Sequence, residues 1–109
     1  DAERWMVRET SMWYSRLFLS RAVRKQARER WEALYPFLVT VPDYIAAQRD
    51  YISDSARRNF DLWPEINLPH EEVVMPNGDE LLSFDEAVDR LIASYRMRLA
   101  WLDAQIRSW

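Results

Sequence analysis

The 109 residues of this chain are 49% hydrophobic and 14% aromatic, a composition that excludes an intrinsically disordered protein. The absence of cysteine excludes a disulfide framework and a thiolate metal site. The net charge of −3 is uneven, because residues 1–30 carry +4 and residues 31–109 carry −7. Such asymmetry is typical either of an anion-binding surface or of two halves of one domain that attract each other.

The fold is predicted to be mainly α, with about four helices in a single domain over residues 1–109. The chain has one Gly and five Pro, so the long intervals between the prolines are free to form helix. No apolar run approaches the ~20 residues that span a bilayer, so a soluble chain is expected. Because the sequence begins at Asp1 without an initiator Met and already in a helix-compatible pattern, we expect it to be a piece of a longer protein.

The first two helices are predicted over about 3–19 and from the Ser20 N-cap to about 39. Pro36 falls inside the second helix and is expected to kink it or end it early. A basic run opens this helix and makes a nucleic-acid-binding domain a less favoured alternative, since phosphate contacts of such residues depend on salt. The run consists of Arg21, Arg24, Lys25 and Arg28, near Arg16.

The third helix is predicted to begin at "VPDY", with Pro42 in its first turn, and to end near Leu62. Residues 70–82 break the helical period, and "PNGD" predicts one short hairpin or an ordered loop. "SFDE" at 83–86 has the form of a capping box and fixes the start of the last helix, which runs towards residue 109.

The predicted core consists of apolar residues that recur with the helical period. These are Trp13, Leu17, Trp31, Leu34, Ile52, Trp63, Leu91, Tyr95, Leu99 and Leu102. Four aspartates fall opposite the apolar side of the third helix, and we expect them to face water. They are Asp43, Asp50, Asp54 and Asp61.

The last helix also has a second apolar face, formed by Met97, Trp101 and Ala104 together with Ala93 and Ala100. Two apolar faces require two partners, so this face is the predicted interface. The expected partner is a missing N-terminal region or a second copy of the chain. Arg98, Asp103 and Arg107 are expected to form structural ion pairs, the last two at the favourable spacing of four residues.

The sequence contains no strong motif for catalysis or for binding a metal or a cofactor. No residue is assigned a catalytic, cofactor-binding or metal-binding role. His70 is the single histidine, so a multi-histidine metal site or a histidine-dependent triad would need partners that the sequence lacks. Gly78 stands alone in a turn, so no glycine-rich phosphate loop is present. Nucleotide binding by this chain alone is therefore not expected.

Three segments resemble the CotH family of atypical protein kinases. "WYSRLFLSRAVRKQARERWEAL" at 13–34 resembles two consecutive helices of that family, although Ser20 and Ala22 depart from the Asp and Phe often found there. "SDSARRNFDLWP" at 53–64 is similar to the stretch that follows. "SFDEAVDRLIASYRMRLAWLDAQI" at 83–106 resembles the segment that ends the kinase domain.

The resemblance implies that the complete protein is a kinase that uses ATP and a divalent cation to phosphorylate serines of spore-coat or other surface proteins. The nucleotide- and metal-binding carboxylates of the family precede the matched region, so no catalytic residue is carried over. This chain is therefore expected to be a helical C-terminal buttress that binds no cofactor itself. The alternative is a stand-alone helical module for protein–protein interaction.

Overall fold

The computed structural model describes residues 3–6, 8–63 and 82–109. This part of the chain is 80% helical and has no strand, which confirms the predicted mainly α class. It contains one short helix, α1 (Met12–Leu17), and three long helices, α2 (Arg21–Leu38), α3 (Val41–Leu62) and α4 (Phe84–Arg107). The hairpin or ordered loop predicted at 70–82 lies almost entirely outside the described residues.

The chain divides into two compact units. The first unit comprises Asp1–Pro42 and Ala93–Trp109, and the second comprises Asp43–Ile92. The first therefore contains α1, α2 and the C-terminal part of α4, and the second contains most of α3 and the N-terminal part of α4. Among the described residues, each unit thus has two main helical segments.

The first helix is shorter than the predicted span of about 3–19, because α1 has only six residues. The chain before α1 makes tertiary contacts instead. The Trp5 ring lies edge-on to Trp101 at 5.1 Å between centroids and stacks on Trp109 at 5.4 Å. Contacts of this kind outweigh a local helical preference, which is weak at each residue.

The second helix has the predicted bounds, with Ser20 as its N-cap. The Ser20 backbone is extended, but its side chain makes no capping hydrogen bond. The expectation of an early end at Pro36 is wrong, since α2 continues to Leu38. Pro36 lies in the last turn, where few helical hydrogen bonds follow it, and the Tyr95 hydroxyl donates to the Leu38 carbonyl at 2.9 Å.

The predicted capping box at the start of α4 is confirmed. The Ser83 backbone N–H donates to Glu86 Oε2 at 2.8 Å, and the Glu86 N–H donates to Ser83 Oγ at 3.2 Å. The hydrogen bond from the Ser83 backbone, helped by its side chain, holds the pKa of Glu86 below its ordinary value. Two backbone donors that a helix leaves unpaired are therefore satisfied reciprocally.

The predicted core is largely wrong. Among the described residues the buried hydrophobic side chains are Ile92 and Ile106, with Pro42 buried at the start of α3. Six of the predicted core residues are exposed, namely Trp13, Leu17, Leu34, Ile52, Trp63 and Leu91. The other four are half-buried, namely Trp31, Tyr95, Leu99 and Leu102.

The physical reason is the small number of helical segments in each unit. A fully buried core residue typically touches six to twelve others, which requires neighbours on several sides. Two long segments cover each other's apolar stripe from one side and leave large side chains partly open to water. Periodicity identifies an apolar stripe correctly, but it does not say how many elements cover it.

Candidate docking surface and basic recess

The C-terminal part of α4 carries an exposed row of four side chains, which we call the second face of α4. It consists of Ala93, Met97, Ala100 and Ala104, spaced by four, three and four residues. All four are exposed, and Met97 is 57% exposed. This spacing places them on one side of the helix, where three alanines would allow a second helix to approach closely.

Trp101, the other residue of the predicted interface, is half-buried in its own chain. Its ring contacts Trp5, and the Arg98 guanidinium lies 5.1 Å above its centroid. Arg98 also donates a hydrogen bond to the Arg4 carbonyl. The predicted interface therefore separates into an exposed part, Met97 and Ala104, and a tryptophan that anchors the N-terminal segment.

Asp103 links α2 to α4. Its Oδ1 atom accepts a hydrogen bond from Arg107 Nε at 2.6 Å and another from Trp31 Nε1 at 2.8 Å. The Arg107 guanidinium lies 5.2 Å from the centre of the Tyr35 ring, and Tyr35 lies beside Trp31 with 6.0 Å between ring centroids. The structure thus forms the ion pair expected from the spacing and adds an indole donor that the sequence alone did not indicate.

Arg8 sits among aromatic rings in the first unit, a feature that the sequence analysis missed. Its guanidinium lies 5.0 Å from Trp5, 5.1 Å from Trp109 and 5.5 Å from Phe18, measured to the ring centres. A cleft of about 370 Å³ adjoins this cluster. Trp5 is close to Arg8 in sequence, but Trp109 comes from the other end of the sequence, so local spacing does not indicate that the cluster forms. Cation–π attraction stabilises the arrangement.

The basic run of α2 surrounds a recess of about 240 Å³, which we call the basic recess. It is lined by Arg21, Arg24, Lys25, Arg28 and Trp109. One η nitrogen of Arg24 donates to the carbonyls of Phe18 and Leu19 at 2.7 and 2.8 Å. These bonds fix one guanidinium in a defined position at the rim of the recess.

In the second unit, Arg49 pairs α3 with the start of α4. Its η1 nitrogen donates to Asp89 Oδ1 at 2.6 Å, and its Nε lies 3.5 Å from Asp50 and 3.9 Å from Asp85. The hydrogen bond that Arg49 donates to Asp89, together with the negative charges of Asp89 and Asp50, raises the pKa of Arg49. Only 23% of the Arg49 side chain is exposed, which indicates a packing role.

The other polar or turn residues singled out in the sequence are the four aspartates of α3, His70 and Gly78. The four aspartates of α3 are exposed, as predicted. No group of three or more potential metal ligands occurs within residues 3–6, 8–63 and 82–109. His70 and Gly78 lie outside those ranges.

The chain matches no protein-family model, and no curated protein or solved structure is significantly similar to it. Within the helices that the structure describes, none is both long and apolar enough to cross a bilayer.

Proposed function

We propose that this chain is a non-catalytic helical support that docks against another part of a larger protein. The observation that carries the proposal is the imbalance between exposed and buried apolar side chains. Sixteen large hydrophobic side chains of the described residues are exposed, whereas two hydrophobic side chains are buried. Several are aromatic or long, including Trp13 at 74%, Phe37 at 69% and Met97 at 57% exposure.

Single exposed hydrophobic residues are normal on a protein surface, so the grouping of these residues matters more than their number. In α1, Met12, Trp13 and Leu17 are all exposed within six residues. On α4, the second face adds a continuous row over three turns. Contiguous apolar surface of this kind marks interaction sites, because covering it removes about 25 cal/mol per Å² of unfavourable hydration.

The resemblance to CotH-family kinases supplies the proposed class of the larger protein. On that proposal, ATP, the divalent cation and the phosphorylated protein substrate belong to the complete kinase, and a spore-coat or extracytoplasmic location would follow from the family. This chain has a structural role on that proposal, because the family's nucleotide- and metal-binding carboxylates precede the region that resembles it. Support comes from three segments that resemble those of the family and occur in the same order.

A stand-alone interaction module is the second candidate, and the same exposed face favours it. The two candidates differ in what covers Met97. In the first, the cover is another part of the same polypeptide; in the second, it is a separate partner, of which a second copy of the chain is the simplest. Oxidation of Met97 distinguishes them, because a thioether is oxidised by peroxide only where it is accessible.

The experiment compares peroxide oxidation of Met97, followed by peptide mass spectrometry, in the 109-residue chain and in the full-length gene product. The support proposal predicts rapid oxidation in the isolated chain at every protein concentration and strong protection in the full-length product. Protection that grows with the concentration of the isolated chain would instead show self-association. Rapid oxidation in both proteins would leave the second face uncovered and would contradict the support proposal.

A further inference from the structure

The basic recess has more hydrogen-bond donors and positive charge than its surroundings satisfy. Arg28 donates through one η nitrogen to the Trp109 backbone oxygen at 2.8 Å, but its covered Nε atom has no hydrogen-bond partner. Glu32 approaches that nitrogen only to 3.9 Å. Lys25 has a loose contact of 3.7 Å with Glu29, and both of those side chains are largely exposed.

The position of these charges within α2 is also unfavourable. Arg21, Arg24 and Lys25 occupy the first, fourth and fifth residues of the helix, whose first turn contains no acidic residue. The amino-terminal end of a helix carries the positive end of its dipole, so cations there are repelled and an anion would be attracted. This arrangement lowers folding stability, and proteins break such local rules mainly at functional sites. It therefore favours a site that binds an anion.

We propose that the basic recess binds a single phosphate group in its dianionic form. Arg24 donates to two backbone carbonyls and Arg28 to the backbone oxygen of Trp109, so both guanidinium groups are oriented before a ligand arrives. Guanidinium groups suit phosphate because their forked donors pair with two oxygens at once. Arg21 and Lys25 are exposed at the rim and add long-range attraction.

The geometry favours one phosphate group over an extended nucleic-acid strand. The four cations converge on a single recess of about 240 Å³, whereas a strand needs a basic stripe that follows successive phosphates. Along α2 the basic run is followed by Glu29 and Glu32, which would repel the next phosphates of a strand. The phosphate group belongs either to a free small anion or to a phosphorylated side chain.

Calorimetric titration of the 109-residue chain tests this site with inorganic phosphate, with a short phosphoserine peptide and with its unphosphorylated form. The critical variant is the double substitution Arg21→Gln and Lys25→Gln. Arg90→Gln with Arg96→Gln is the matched control, since both arginines are exposed on α4 and the same two charges are removed. Circular dichroism establishes that both double variants remain helical.

The expected result is saturable binding of a phosphate probe that the critical variant weakens about tenfold or more, while the control changes it less than about threefold. Tighter binding of the phosphopeptide than of inorganic phosphate would identify a phosphorylated protein as the source, and equal binding would identify a small anion. Absence of saturable binding to both probes, or equal weakening by the two double variants, would overturn the proposal. Binding of a single-stranded oligonucleotide without binding of either phosphate probe would also overturn it, in favour of nucleic acid.

Discussion

Trp31 and Asp103 join α2 to α4 through a hydrogen bond of 2.8 Å from the indole Nε1 to the carboxylate Oδ1. They stand 72 positions apart in the chain. The same oxygen accepts from Arg107, so one carboxylate atom links an interhelical bond to an ion pair within α4. The Asp103 side chain is only 23% exposed, and loss of the carboxylate would therefore leave the part-buried indole N–H without its acceptor.

Asp103→Ala is expected to lower the free energy of unfolding by about 1–3 kcal/mol, because a part-buried indole N–H loses its acceptor. Asp103→Asn keeps an oxygen in place and is expected to cost less. Asp54→Ala is the matched control, since Asp54 also pairs with an arginine on its own helix but is 78% exposed. Urea unfolding measures all three, and equal losses for Asp103→Ala and Asp54→Ala would contradict the assigned role of Asp103.

The capping box gives a second test, with a built-in control at another helix. Ser83→Ala is expected to destabilise the chain by about 1 kcal/mol, since the Glu86 N–H loses its acceptor. Ser20→Ala is expected to have almost no effect, because Ser20 is an N-cap whose side chain makes no capping bond. Similar losses at the two serines in urea unfolding would show that the side-chain bond at Ser83 does not stabilise α4.

The same motif predicts a dependence on pH. Because the pKa of Glu86 is lowered in the folded chain, its carboxylate contributes stability above the ordinary pKa of a glutamate. That contribution is lost as the pH falls through the lowered pKa. Glu86→Gln retains an acceptor for the Ser83 N–H but does not titrate, so its unfolding curves should vary less with acid pH than those of the wild type. An unchanged pH dependence would contradict the assignment.

Burial along α4 gives a further test. Ile106 is 8% exposed, whereas Leu91, also an apolar residue of α4, is 55% exposed. Ile106→Ala is expected to cost about 2–5 kcal/mol, the range for a buried aliphatic side chain. Leu91→Ala is expected to cost less than about 1 kcal/mol. Thermal unfolding that ranked the two substitutions in the opposite order would contradict the packing described for α4.

Helix positions in this chain follow from local sequence, whereas burial does not. The bounds of α2 and α3 and the start of α4 depend on signals within a few residues, such as Pro42 and the Ser83–Glu86 pair, so the sequence predicts them well. Leu91 and Ile92 show the limit. The predicted core contains Leu91, which is 55% exposed, whereas the adjacent Ile92 is buried, because periodicity alone does not say which side of an apolar stripe is covered.

The candidate sites divide in the same way. The basic run and the second face of α4 are local patterns, and the sequence alone predicts both. The contact of Arg8 with Trp109 and the bond from Trp31 to Asp103 join distant positions. Sequence spacing does not predict such tertiary contacts, because they depend on how the helices and the N-terminal segment pack.

The measurement that tests the docking proposal most directly is the thermal stability of Met97→Glu in two proteins, the 109-residue chain and the full-length gene product. Gln48→Glu is the control, since it adds the same charge at an exposed position of α3. Met97 is 57% exposed, so the substitution is expected to change the stability of the isolated chain by no more than about 0.5 kcal/mol. In the full-length product, where the proposal places Met97 against another part of the protein, a buried charge is expected to cost about 2 kcal/mol or more, and Gln48→Glu little. An equally small effect of Met97→Glu in both proteins would contradict the proposed docking of the second face of α4.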